Sequence, residues 1–387
     1  LKAFLEASGA RVHCYTSPYL MRLHESIQIA GPGGAAAISE PRLCGALARV
    51  RDAAASAPVT PFEAETAAAF LMFSETPADF VLLETGLGGR LDATNVVSDP
   101  VLTVITPVSI DHAEYLGAAI TDIAREKAGI MRRGVPVLVA RQDDDAHGVI
   151  ERYADELLAP MRSAGRDWDA YEQHGRLVFQ DETHLRDLGL PVLAGRHQLD
   201  NAGLAIAAAL TLDPGEKRVT DAMLEKGLAT ATWPARLHRL PHGALCDDLP
   251  EGSEVWLDGG HNAAAGTAIA HAMSDLEDNA PLPLFLVTGM LASKDPDAFL
   301  RPFRGLARTV LALTLKTDSH ATAGPLKAEI IVGASEASGI EARAVVSVSE
   351  ALSFAASQSD GPVRVLICGS LHLAGQVLGD LERTVSS

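Results

Sequence analysis

Three apolar stretches of this chain run into side chains that can hold a cation. Val12 to Thr16 leads into Ser17, Phe80 to Leu83 ends at Glu84, and Val101 to Ile105 leads through a short loop to His112. Oxygen donors suit magnesium, which keeps several waters and takes substrate phosphates as further ligands. A histidine in the same set would by itself suggest zinc or manganese. Read locally, Thr16 and Ser17 are also ordinary turn or capping hydroxyls, and His112 is also an ordinary loop histidine. Glu84 carries more weight, because a carboxylate directly after four apolar residues is costly to bury without a partner.

A second group consists of cations and their neighbours. Lys127 follows Arg125 and Glu126 on a helical pattern, where a lysine is normally a solvated surface charge. Arg236, next but one after Pro234, reads as a surface charge or as a phosphate ligand mounted on a hinge. Asp258 and His261 sit between an apolar strand and a helix, where backbone N–H groups can bind an anion and a carboxylate can orient a ribose or a lysine. The glycine run Gly86-Leu87-Gly88-Gly89 lacks the lysine-serine end of a phosphate loop and the spacing of a dinucleotide fingerprint. No phosphate loop, nucleophile elbow or HExxH helix occurs anywhere in the 387 residues.

The elements that must position these residues alternate between apolar strands and helices. Strands are expected at Val12 to Thr16, Phe80 to Leu83, Val101 to Ile105, Val135 to Val139 and Leu177 to Phe179. Further on they are expected at Glu254 to Leu257, Leu284 to Thr288, Val310 to Thr314, Ala328 to Val332 and Val363 to Cys368. Helical patterns cover 39 to 55, Thr60 to Phe73, Thr121 to Ile130, 146 to 165, Thr220 to Ala229 and Ala263 to Met273; Gly195 to Asn201 leads into an alanine-rich helix through Leu210, and the last helix opens at Gly369. Residues 170 to 193 are less regular. The recurrence fits a mostly parallel sheet with helices on both faces. Texture changes at Trp233-Pro234-Ala235-Arg236-Leu237-His238, taken as a hinge, and the C-terminal third reads as a smaller α/β unit. Leu1 to Gly9 reads as the last turns of a helix closed by glycine, so a strand and loop are expected upstream.

Bulk properties narrow the function. Apolar residues make up 47% of the chain, too many for disorder. The net charge of -18 argues against a nucleic-acid surface and against docking on anionic membranes. Cys14, Cys44, Cys246 and Cys368 are far apart and suit core packing in a reducing compartment better than disulfides or a zinc site. No apolar run is long enough to span a bilayer, Ala202 to Leu212 being too short. The residues alone therefore imply a two-domain α/β enzyme acting on an anionic substrate.

Several segments carry a resemblance. They are YTSP at 15 to 18, LETGLGGRLDATN at 83 to 95, IDH at 110 to 112, IAREKAGI at 123 to 130, PAR at 234 to 236 and LDGGHN at 257 to 262. In this order they resemble the bifunctional dihydrofolate synthase/folylpolyglutamate synthase family of the Mur-ligase superfamily, across essentially the whole chain. The resemblance implies a Mur-ligase-like, P-loop-type ATPase domain with a mostly parallel sheet at 1–234, binding ATP and pterin, and a smaller Rossmann-like α/β glutamate-ligase domain at 235–387. The family's N-terminal strand and P-loop would precede Leu1. The implied reaction joins L-glutamate to dihydropteroate, and to reduced folates, through an acyl phosphate made from Mg-ATP.

By the same resemblance Ser17, Glu84 and His112 are magnesium-site residues, and Lys127 matches a lysine carbamylated in the superfamily. Asn201, Arg236, Asp258 and His261 match ATP-binding positions, and Lys127, His112 and His261 are the catalytic candidates. Phe62, Glu63, Arg90 and Asp92 are expected on the pterin side. A monovalent cation beside the magnesium, a cytoplasmic monomer and no membrane or nucleic-acid partner complete the expectation. Ala235 replaces the commoner glycine, Gly260 replaces the commoner alanine, and His24-Glu25 differs from the usual pair. A peptidoglycan-precursor ligase and a degenerate ligand-binding relative without its P-loop are the alternatives.

Overall fold

The computed structural model describes residues 1–213, 218–241, 243, 245, 249–316 and 323–385. The chain divides into two compact units, Leu1–Val192 with Gln198–Ala231, and Leu193–His197 with Thr232–Ser387.

In the first unit a four-stranded sheet has the order β3 (Ala36–Ala37), β2 (Ile27–Ile29), β1 (Val12–Tyr15), β4 (Phe80–Leu83). β1 and β4 are parallel, with Tyr15 opposite Leu83, so their C-terminal ends emerge side by side. β4 lies at the edge of this sheet, which leaves Val81 46% exposed although its sequence reads as a buried strand. A second sheet is parallel throughout: β5 (Thr103–Ile105), β6 (Val137–Val139) and β7 (Met161–Ser163). A third is antiparallel: β8 (Trp168–Gln173), β9 (Arg176–Asp181) and β10 (Leu185–Leu188). β8 and β9 join through His174 and Gly175, both at positive φ, the two-residue turn whose twist suits a hairpin. This sheet occupies the stretch that reads as irregular in the sequence.

Among the described residues the second unit contains one six-stranded sheet. Its order is β11 (His238–Arg239), β12 (Glu254–Leu257), β16 (Arg364–Cys368), β13 (Leu284–Thr288), β14 (Ala307–Ala312), β15 (Glu341–Ala344). Only β11 is antiparallel to its neighbour. The α/β class therefore stands, with parallel pairing where the strand exits carry motifs.

Several elements differ from the sequence reading. Residues 328–332 belong to the helix Ala328–Ala337, not to a strand. Its Ala328, Ile331 and Ser335 are buried while Ile330 is half exposed, a helical period inside a short apolar run. The strand that does occur there, β15, is an edge strand with little buried surface to announce it. The helix expected over 146 to 165 ends at Glu156, because Leu158 turns to positive φ and Pro160 follows, and β7 begins at Met161. The N-terminal helix Lys2–Ala7 closes as expected, with Gly9 at φ +83 and Ala10 N–H donating to the Leu5 carbonyl. Cys14 and Cys368 are buried, but Cys44 is exposed on the helix Glu40–Ala54, against the core-packing reading. Cys246 lies outside the described residues.

The helix Pro61–Glu75 covers the first sheet and begins with a capping box. Thr60 accepts from the Glu63 N–H, and the Glu63 carboxylate accepts from the Thr60 N–H and hydroxyl. Two turns of this helix bury Glu65, Thr66, Ala68, Ala69, Met72 and Phe73. Glu65 is 8% exposed, and its Oε1 has no hydrogen-bond partner. Burial raises its pKa above the usual carboxylate range, partly offset by a hydrogen bond with Ser26. The folded chain therefore binds this proton more tightly than the unfolded chain does. Stability from the protonated form is complete below the ordinary pKa of 4.5 and is lost as pH rises from there through the raised value. Glu65→Gln is expected to melt at a higher temperature than the parent at pH 8 and at the same temperature near pH 4. An equal difference at both pH values would contradict the burial argument.

Candidate active site

β1 and β4 put the first two candidates together. The Glu84 N–H donates to the Tyr15 carbonyl at 2.9 Å, which extends the β1/β4 pairing by one residue. The Ser17 N–H points at Glu84 Oε2 at 3.4 Å. Ser17 Oγ is buried with no hydrogen-bond partner. A buried hydroxyl oxygen without a donor, next to a carboxylate, fits a hard divalent cation that draws its remaining ligands from water and phosphate. His112 is exposed, at φ +52, on the N-cap of the short helix Ala113–Leu116. Among the described residues no group of three or more His, Cys, Asp or Glu could hold a metal ion.

The two most specific motif segments interlock. Asp92 is 9% exposed and folds the glycine turn around itself. Its Oδ2 accepts from the Gly86 and Leu87 N–H groups at 2.9 and 2.8 Å. Its Oδ1 accepts from the Thr94 N–H and hydroxyl at 2.9 and 2.6 Å. Four donors fill the lone-pair sites of a carboxylate, so Asp92 acts here as the organiser of the turn. The turn lies against the end of the helix Ile120–Ala128. A Cβ on Gly89 would come within 2.9 Å of the Glu126 carbonyl oxygen, and one on Gly129 within 2.3 Å of Arg90 Cβ. Arg90 N–H donates to that same carbonyl at 2.8 Å, and its guanidinium pairs with the Glu126 carboxylate. Asn95 donates to the Gly129 carbonyl at 3.1 Å.

This packing places Lys127 one residue beyond the contact. The residue is half buried, not a solvated surface charge. Burial lowers its pKa, while the carboxylates of Asp111 and Asp92 act in the opposite direction. A lysine with a depressed pKa keeps more of its amine neutral and nucleophilic. Asp111, which the sequence shows only as part of a loop motif, is the missed member of this group.

Phe62 stacks on Tyr15 with ring centroids 6.1 Å apart and lies over Gly86, where a Cβ would be 2.4 Å from Cζ. The Tyr15 hydroxyl bonds to Thr66 at 3.1 Å. Phe62 is thus next to the glycine turn. The carboxylate of Glu63 is engaged by the capping box. Arg90 is tied to Glu126, as above.

In the second unit the exit of β12 is built around Asp258, which is 4% exposed. Its Oδ2 accepts from the Leu237 N–H and its Oδ1 from the Gly260 N–H, both at 2.7 Å. Burial raises its pKa, against those two bonds and the positive charges of Arg236 and His197. Arg236 lies between Ala235 at φ +58 and Leu237 at φ +41. A Cβ on Gly259 would be 3.2 Å from Arg236 Nη1, so the guanidinium rests against that glycine. His261 Nδ1 bonds to the Gly259 carbonyl at 2.9 Å. Asn201 belongs to the first unit and donates to Gln198 Oε1 at 3.1 Å.

No protein-family model matches the chain. Individual proteins do. The chain is 32% identical over 391 residues to folylpolyglutamate synthase of Lacticaseibacillus casei, spanning 96% of this chain and 84% of the relative. The chain belongs to the folylpolyglutamate synthase family. Two solved structures of that family agree in fold. Escherichia coli FolC in complex with DHPP and ADP superposes with a TM-score of 0.85 at 27% identity, covering 99% of this chain and 84% of that one. The bifunctional folylpolyglutamate synthase/dihydrofolate synthase from Yersinia pestis, complexed with AMPPNP and Mn ion, gives 0.83 at 28% identity, covering 98% and 84%. Against the fold of the folylpolyglutamate synthase family, the parallel exits of β1 and β4 carry Ser17 and Glu84, and the exit of β12 carries Asp258.

Proposed function

We propose that this chain ligates L-glutamate to dihydropteroate, and to folates, with ATP and a divalent cation. The juxtaposition of Glu84 with the unpartnered, buried Ser17 Oγ carries the reading, supported by relatives named for these activities and by a neighbour complexed with AMPPNP and Mn ion. Those names favour folate substrates over a peptidoglycan precursor.

In the reaction a substrate carboxylate oxygen attacks the γ-phosphorus, and the bond to ADP breaks. The glutamate amine then attacks the acyl carbon, loses a proton and expels phosphate from the tetrahedral intermediate. Ser17 and Glu84 would hold magnesium, with His112 at its periphery, and the ion would neutralise phosphate charge. Arg236 offers a planar fork that matches phosphate oxygens. Asp258 has two lone-pair sites left for ribose hydroxyls after its two backbone bonds. Asn201 and His261 complete the nucleotide set.

Lys127 is proposed to carry a carbamate. Its neutral amine adds to the carbon of CO2 and releases a proton, turning a cation into an anion; the lowered pKa supports this step. Phe62 and Arg90 are placed on the pterin side, with the turn that Asp92 folds and the helix start that Glu63 caps. Residues 1–234 are assigned to ATP and pterin and 235–387 to glutamate ligation. A monovalent cation and a cytoplasmic monomer belong to the same proposal. No helix among the described residues is long and apolar enough to cross a membrane.

The test is ADP formation by the full-length protein supplied with Mg-ATP, dihydropteroate and glutamate. ADP should form over many turnovers only when both co-substrates are present. Formation that ignores the pterin would contradict the assignment.

A further inference from the structure

The second unit contains five residues, Leu193–His197, that lie far from the rest of it in sequence. This short segment, the 235–237 stretch and the β12 exit pack on one another. Gly195 is at φ +102, and a Cβ there would be 2.6 Å from His197 Cε1 and 3.0 Å from Leu237 Cδ1. The imidazole and the Leu237 side chain therefore crowd one face of Gly195. Leu237 donates its N–H to Asp258, and the Ala235 carbonyl accepts from the Gly259 N–H at 2.9 Å. Ala235 and Leu237 are both buried and both at positive φ, a conformation that costs non-glycine residues energy and persists only where neighbours hold it. Arg236 is the residue between them.

We propose that His197 is a positioning residue for nucleotide binding: seated on Gly195 beside Leu237, it holds the linker and Asp258 in the geometry that presents Arg236. The positive charge it places near Asp258 works in the same direction, favouring the carboxylate form. His197 acts through Asp258 and Leu237, not by touching the nucleotide. The inference rests on the nucleotide role proposed above for Arg236 and Asp258.

The experiment is calorimetric titration of ADP into the full-length parent, His197→Gln, Gly195→Ala and the double variant, with melting temperatures recorded for each. Each single change should weaken ADP binding about tenfold, as expected for loss of one interaction with a charged group. The double variant should be no weaker than the weaker single, because both changes release the same latch. At saturating ATP, kcat and the KM for glutamate should stay within about twofold of the parent, a split that general destabilisation would not give. Parent-like ADP affinity in folded His197→Gln, or fully additive losses, would overturn the proposal. A parent that binds no ADP would instead overturn the ligase reading on which the latch rests.

Discussion

Lys127→Ala is expected to lower kcat for glutamate ligation by about 10²–10³-fold, the scale seen when one charge-stabilising group is removed from a reaction centre. The reason begins in the backbone. Gly89 and Gly129 let the glycine turn and the helix Ile120–Ala128 approach until Arg90 N–H meets the Glu126 carbonyl. That contact half-buries the next residue, and burial lowers the lysine pKa despite Asp111 and Asp92. The amine is then a better nucleophile toward CO2 than a solvated lysine. Parent enzyme stripped of CO2 should lose activity and recover it on addition of bicarbonate, while Lys127→Ala should not respond. The melting temperature should change little, since the bonds of Lys127 within the fold are made by its backbone carbonyl, which alanine keeps. Turnover of Lys127→Ala within fivefold of the parent would remove the residue from the mechanism.

Arg364→Ala is expected to destabilise the second unit by about 3–5 kcal/mol, the cost of breaking a buried ion pair from one side. Arg364 is 1% exposed on the central strand β16. Its Nε donates to Glu254 Oε2 at 2.9 Å and its Nη2 to the Ala280 carbonyl at 2.9 Å, with Glu277 3.5 Å from Nη1. Burial pushes Glu254 up, but bonds from Trp256 and Arg364 and the charges of Arg364 and Arg239 bring it below its usual value. Removing the guanidinium leaves that carboxylate buried with less compensation. Denaturant unfolding followed by near-UV circular dichroism should show the loss at neutral pH. Adding Glu254→Gln to Arg364→Ala should recover part of it. A change under 1 kcal/mol in the single variant would mean the pair contributes little to the fold.

The parts of this molecule that were readable in advance share a physical signature. An apolar strand stopping at Glu84 is legible because its burial and its charge conflict. The helix start at Thr60 is legible because the capping box is written in four residues. The roles inside the glycine turn were less so. Asp92 reads as a ligand-facing acid until its four protein donors are seen, and those come from positions 86, 87 and 94. Lys127 reads as a surface charge, because nothing in its helix reports the turn that covers it. β15 and the exposed Val81 show the same limit for strands: edge position depends on partners elsewhere in the sheet. His197 sits in a stretch that reads only as the lead-in to a helix, and its approach to Gly195 and Leu237 depends on residues some forty positions away.

The central claim is that a substrate carboxylate is activated as an acyl phosphate before glutamate is joined to it. It is tested most directly with dihydropteroate labelled with ¹⁸O in its carboxylate, given to the full-length protein with Mg-ATP and glutamate. The account predicts one ¹⁸O atom in the phosphate released per amide bond formed, because the oxygen that attacks the γ-phosphorus leaves with it. Amide formation with unlabelled phosphate would contradict the acyl phosphate.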